Sequence, residues 1–205
     1  DKTTLSLAVG ETAQLAATVK PDDATDKNVS WTSSDESVAK VDNGKVTAIK
    51  AGKATIIAKC GGKTAECAVT VTVPTGSVTL DKTTLSLAIG ETATLTATVK
   101  PDDATDKNVA WASSDESVAK VANGKVTAVK AGKATITAKC GGKTAECAVT
   151  VTVPTGSVTL DKTSLSLAVG ETAQLTATVS PDDATDKNVV WTSSDESVSK
   201  VDNGK

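Results

Sequence analysis

Histidine, methionine, phenylalanine, tyrosine and arginine are absent from the 205 residues, and three tryptophans are the whole aromatic content. Missing with them are the commonest general base and metal ligand, the guanidinium fork that clamps phosphate, and the platforms on which bases stack. The composition therefore argues against an enzyme and against a nucleic-acid binder, and it implies no cofactor. No unbroken apolar run approaches the roughly 18 residues of a membrane span, so membrane insertion is not expected. The start, DKTTLSL, carries neither a basic stretch nor an apolar h-region, which reads as a mature or interior segment rather than a leader. Lysine supplies all 22 cationic side chains against 25 acidic ones, and the net charge of −3 is too small to steer polyanions.

What is present is repetition. Asp1, Asp81 and Asp161 open near-identical segments with a period of 80, and the first two copies differ at eight positions. A period this long exceeds solenoid units of about 20–50 residues and lets each copy close its own small core. The expected organisation is repeat one at 1–75 without its first strand, repeat two at 76–155, and repeat three at 156–205 without its C-terminal half.

Within a copy the apolar residues alternate. Leu5, Leu7 and Val9 interleave with Ser6 and Ala8; Ala13, Leu15, Ala17 and Val19 interleave with Thr12, Gln14, Ala16 and Thr18. This is the pleat of strands with one dry face. Gly10, Pro21, Asn43-Gly44, Gly61-Gly62 and Pro74-Thr75-Gly76 punctuate the runs. About seven short antiparallel strands per period predict an all-β, two-sheet sandwich. Exchanges between copies, among them Gln14/Thr94, Ala16/Thr96, Ser30/Ala110 and Ile57/Thr137, fall on the outward parity, which places Trp31, Trp111 and Trp191 inward as core residues.

Residues 79–153 carry LSLAIGET, WASSD, NGKVTAVKAG, ATI and CAVTVTV in that order, and the same signposts run through the whole chain. In this the chain resembles the bacterial immunoglobulin-like domain of group 2. The resemblance implies tandem immunoglobulin-like antiparallel β-sandwiches of bacterial surface proteins, adhesins such as intimins and invasins, or phage virion proteins. Antibody-type domains hold a disulfide between the sheets; this sequence has no cysteine pair at those places, so Trp31 must pack on aliphatics.

Each complete copy does carry a matched cysteine pair, Cys60 with Cys67 and Cys140 with Cys147. Opposed in a hairpin, such residues reach the Cα separation of about 5.5 Å that a disulfide needs. If the turn centres on Gly61-Gly62 instead, Cys60 faces Lys63 and the sulfurs are too far apart. The bonded reading is the expectation, since small secreted domains use such staples. Two thiols per copy without histidine leave a zinc tetrahedron incomplete.

Asp22, Asp23 and Asp26, repeated as Asp102, Asp103 and Asp106 and as Asp182, Asp183 and Asp186, could gather oxygen ligands for calcium. The D-x-D-x-D-G spacing is missing, so a solvated turn is the preferred reading and no metal site is expected. Ser33, Ser34, Asp35 and Glu36 read as a polar loop, because no base in an enclosed pocket can be assembled around them. With only Pro74-Thr75-Gly76-Ser77 and Pro154-Thr155-Gly156-Ser157 between copies, neighbouring repeats have little freedom.

The expected role is a semi-rigid extracellular stalk or filament module on a bacterial cell surface, or alternatively in a phage virion. Its partners are neighbouring repeats and other copies of the chain through strand complementation. The competing role is adhesion to a host receptor or surface glycan. Inward tryptophans argue against a glycan site, which usually presents exposed aromatics.

Overall fold

A computed structural model describes residues 1–205, and it is built of strands without helices. In the first repeat these are β1 (Thr4–Ala8), β2 (Thr12–Gln14), β3 (Ser30–Ser33), β4 (Ala39–Asp42), β5 (Lys45–Ala48), β6 (Gly52–Cys60) and β7 (Lys63–Thr72). One sheet runs β1-β7-β6-β3 and the other β2-β5-β4. The Asn43-Gly44 pair joins β4 to β5 with φ of +48° and +77°, the left-handed pair of a tight hairpin.

The alternation sets what lies between the sheets. Leu7, Leu15, Val46, Ile56, Cys67, Val69 and Val71 are all buried in one cluster. The residues that vary between copies stay outside: Gln14, Ala16, Ser30 and Thr32 are exposed and Ile57 is half-buried. Val9 departs from the alternation. It lies beyond the end of β1 at the Gly10 turn and is 41% exposed.

One ladder is not antiparallel. β1 runs parallel to β7, with Thr4 opposite Ala68 and Ala8 opposite Thr72. The entering strand is thus placed beside the departing one, which no local turn could do.

The second repeat contributes β8 (Ser77–Leu80), β9 (Thr84–Ala88), β10 (Thr92–Thr94), β11 (Ala97–Lys100), β12 (Ala110–Ser113), β13 (Ala119–Ala122), β14 (Lys125–Ala128), β15 (Gly132–Cys140) and β16 (Lys143–Thr152). Their sheets are β12-β15-β16-β9, β10-β14-β13 and β11-β8. A separate core holds Leu87, Leu95, Val126, Ile136, Cys147 and Val149, with Leu80 and Trp111 packed against it. In the third repeat β17 (Ser157–Leu160) pairs antiparallel with β18 (Ala177–Ser180), and Leu165, Leu167, Val169 and Val190 are exposed.

The residues group into two compact units. One is Asp1–Thr79 with Ala97–Ala110 and Ala138–Ala145; the other is Leu80–Thr96, Trp111–Thr137 and Glu146–Lys205. The division runs through the second repeat, so the segments nearest the first linker group with repeat one. Each hydrophobic core nevertheless draws on a single repeat.

Candidate functional site

The tryptophans sit at the rim of the cores. Trp31 is half-buried in β3 and packs against the first cluster; Trp111 does the same in the second; Trp191 is half-buried outside any strand. The indole lies against the Asn-Gly hairpin: a Cβ on Gly44 would come within 3.1 Å of Trp31 Cζ2 and 2.4 Å of the Leu15 carbonyl oxygen. Gly124 stands in the same relation to Trp111 and Leu95.

The expected disulfides are not formed; all four cysteines are free. Gly61 and Gly62, with φ of +52° and +76°, make a two-residue turn that sets Cys60 opposite Lys63 and Cys67 opposite Ile56. Cys60 and Ile56 are four residues apart on β6, about 13 Å at strand rise, far beyond disulfide reach. Cys140 and Cys147 flank the same turn, at Gly141-Gly142, and are both buried. Burial pushes the Cys67 and Cys147 thiols above their ordinary pKa, which makes them inert core residues.

The aspartates are committed to turns. Asp26 Oδ1 accepts the Asn28 N–H at 2.9 Å, and Asp22 pairs with Lys20 at 2.6 Å. The Asp loops gather no set of three metal-ligating side chains. The Ser-Ser-Asp-Glu loop is stitched in the same manner. Ser37 donates both its N–H (2.9 Å) and its Oγ–H (2.6 Å) to Asp35 Oδ1, and Ser34 Oγ accepts the Thr55 N–H at 2.8 Å. These bonds hold the Asp35 carboxyl below the usual carboxylate range.

The side chains that do converge are at the linkers. The Val73 N–H donates to Thr105 Oγ1 at 2.8 Å, and the Thr105 N–H returns a bond to the Val73 carbonyl at 2.9 Å. Thr75, buried, donates to the Asp106 carbonyl at 3.1 Å and lies 3.7 Å from Cys140 Sγ. Cys140 Sγ itself donates to the Asp106 carbonyl at 3.4 Å. The Gly76 N–H donates to the Lys100 carbonyl at 2.8 Å, which starts the pairing of β8 with β11. The second linker repeats the arrangement: Val153 and Thr185 exchange bonds of 2.7 and 2.9 Å, Thr155 donates to the Asp186 carbonyl at 2.7 Å, and Gly156 to the Ser180 carbonyl at 2.8 Å. Sequence reasoning passed over these threonines. The available signal was that P-T-G and D-A-T-D recur together at every junction.

Two faced β-layers repeated in tandem, with a parallel first-to-last ladder, define an immunoglobulin-like repeat protein. The chain belongs to the bacterial Ig-like domain (group 2) family, which matches residues 1–71, 74–151 and 154–205. It is 63% identical over 70 residues to an α-L-arabinofuranosidase of Bifidobacterium longum, covering 33% of this chain and 7% of that protein. It is 39% identical over 136 residues to an Ig-like virion protein of Serratia phage KSP90, covering 63% and 53%. Domains 4 and 5 of the S-layer protein SbsC superpose with a TM-score of 0.36 at 29% identity, covering 61% of this chain and 70% of that one. The matched part is 7 to 53% of the length of these two relatives, so the chain corresponds to a portion of each.

Proposed function

We propose that the chain is a spacer: a stalk or filament segment displayed outside the cell on a bacterial surface protein, with no chemistry of its own. The observation that carries this reading is the two-way hydrogen bond between Val73 and Thr105, repeated between Val153 and Thr185. A linker of proline, threonine and glycine that is bonded along its length to the following repeat has little freedom to bend. Such an array converts added repeats into added reach. Similarity to a virion protein supports the phage particle as an alternative setting.

Small-angle scattering of arrays with two, three and four repeats tests the reading. The maximum dimension should grow linearly, by a few nanometres per repeat, given strands of about 20 Å. Growth with the square root of repeat number would mean freely jointed beads and would overturn it.

Receptor or glycan adhesion is the second reading. Its support is that the family segment also occurs in a glycosidase. Retention of the chain on immobilised host glycans, lost in Trp31→Ala, would favour it over the spacer.

A further inference from the structure

We infer that Asn123 is a modification site: its side-chain amide is lost by ring closure with Gly124, while the matching Asn43-Gly44 turn is guarded against the same reaction.

The fold leaves the sequence little freedom at these turns. Asn43 and Asn123 have φ of +48° and +49°, and Gly44 and Gly124 have +77° and +83°. Asparagine is among the few side chains tolerated in that conformation. A Cβ on Gly44 would stand 2.4 Å from the Leu15 carbonyl oxygen, and one on Gly124 2.5 Å from that of Leu95. The pair that makes the hairpin is therefore also the pair most open to ring closure, because glycine has no side chain to obstruct attack through its nitrogen. Asn123 is exposed, so water reaches its side chain.

The reaction needs only water and hydroxide. The Gly124 N–H gives up its proton, the nitrogen bonds to Asn123 Cγ, and the Cγ–Nδ2 bond breaks, the departing amide taking a proton from water to leave as ammonia. Water then opens the cyclic imide at one of its two carbonyls. The product is aspartate, or an isoaspartate whose backbone is one carbon longer.

Two of the eight differences between the copies fall on this turn. In the first repeat Gln14 Nε2 donates to the Asn43 carbonyl at 3.0 Å, and in the third Gln174 does the same to Asn203 at 3.1 Å. That bond fixes the peptide plane that must swing toward Cγ before the ring can close. Asp42 adds a negative charge beside the nitrogen that must ionise, and Asp202 Oδ1 in the third repeat accepts the Asn203 side-chain amide at 3.0 Å. The second repeat has Thr94 and Ala122 instead, both opposite Lys125 as Gln14 and Asp42 are both opposite Lys45. Threonine is too short to hold the Asn123 carbonyl, and alanine leaves Lys125 to favour the ionised nitrogen unopposed. The turn geometry is shared, so the difference in reactivity lies in these two side chains.

Isoaspartate at Asn123 would lengthen the link between β13 and β14. It would displace Gly124, whose carbonyl accepts the Leu95 N–H at 2.9 Å beside the Trp111 ring. The site exists whether or not the array acts as a spacer.

The test holds the full chain folded in mildly alkaline buffer and then cleaves it after glutamate. Fragments 37–66, 117–146 and 197–205, each with one asparagine, are weighed for conversion of amide to acid. Conversion in 117–146 should run roughly three- to tenfold faster than in 37–66, the range that one hydrogen bond and one nearby charge supply. Thr94→Gln with Ala122→Asp should slow the second turn to the rate of the first, and Gln14→Thr with Asp42→Ala should speed the first to the rate of the second. Each pair already stands in a sibling copy, so the variants should fold. In denaturant, where the Gln14 bond is gone, the gap should narrow. Equal rates in the folded chain, faster loss at Asn43, or rates unmoved by the exchanges would overturn the inference.

Discussion

Val73 and Thr105 bond each other twice, backbone N–H to side-chain hydroxyl in one direction and backbone N–H to carbonyl in the other. Val73 follows the last strand of one repeat, and Thr105 belongs to a loop of the next. The joint is therefore written in two residues that lie 32 positions apart.

Thr105→Val keeps the shape and removes the hydroxyl acceptor. The Val73 N–H then loses its partner, a cost of about 0.5–1.5 kcal/mol at a bond exposed to solvent. Amide exchange at Val73 should accelerate by about two- to tenfold. Exchange unaltered at Val73 would mean the bond contributes nothing to the joint.

Gly141→Ala and Gly61→Ala separate strain from contact. Both residues have φ near +52°, so the backbone penalty is shared, but only the Gly141 substitution strikes Thr75. Gly61→Ala should cost about 1–2 kcal/mol in urea unfolding, the left-handed penalty alone. Gly141→Ala should cost more and should also speed exchange at the Thr75 amide. Equal losses in both variants would contradict the packed threonine.

Reductant should leave the melting temperature unchanged, because the hairpin register keeps Cys60 from Cys67. Thiol titration should find four free groups in the unfolded chain, with Cys60 the most reactive in the folded one. Fewer than four would restore the staple.

Acid should weaken the fold partly through the Ser-Ser-Asp loops. Ser117 donates its Oγ–H and N–H to Asp115 Oδ1 at 2.6 and 2.9 Å, and these bonds depress the Asp115 pKa. A depressed folded value stabilises above the unfolded pKa of about 3.9 and is lost as pH falls through the lower folded value. Asp115→Asn should therefore flatten the dependence of the urea midpoint on pH below about 4. Parallel slopes for the two proteins would show that this carboxylate takes no part.

Much of the architecture was legible in the sequence because it depends on local pattern. Leu7 and Leu15 announced the dry faces by alternation, and Asn43-Gly44 announced its hairpin. The parallel pairing of β1 with β7 was not legible, since it joins residues more than 60 apart with no turn to mark them. The cysteines failed for a different reason. Both lie on one face of the hairpin, but register is set by the two-residue glycine turn, which displaces them along the strand. Val9 shows how alternation misleads at a strand end. At the junction, Thr75 and Thr105 are ordinary polar residues until the fold brings them to the linker, so their role belongs to tertiary structure.

The central claim is that each complete repeat closes its own interior and is joined to the next through a bonded linker. Stretching single molecules of the chain tests it most directly. Separate interiors predict two unfolding events, each lengthening the chain by about 25 nm, the contour of some 70 residues. One event releasing both repeats together would show a shared interior and contradict the account.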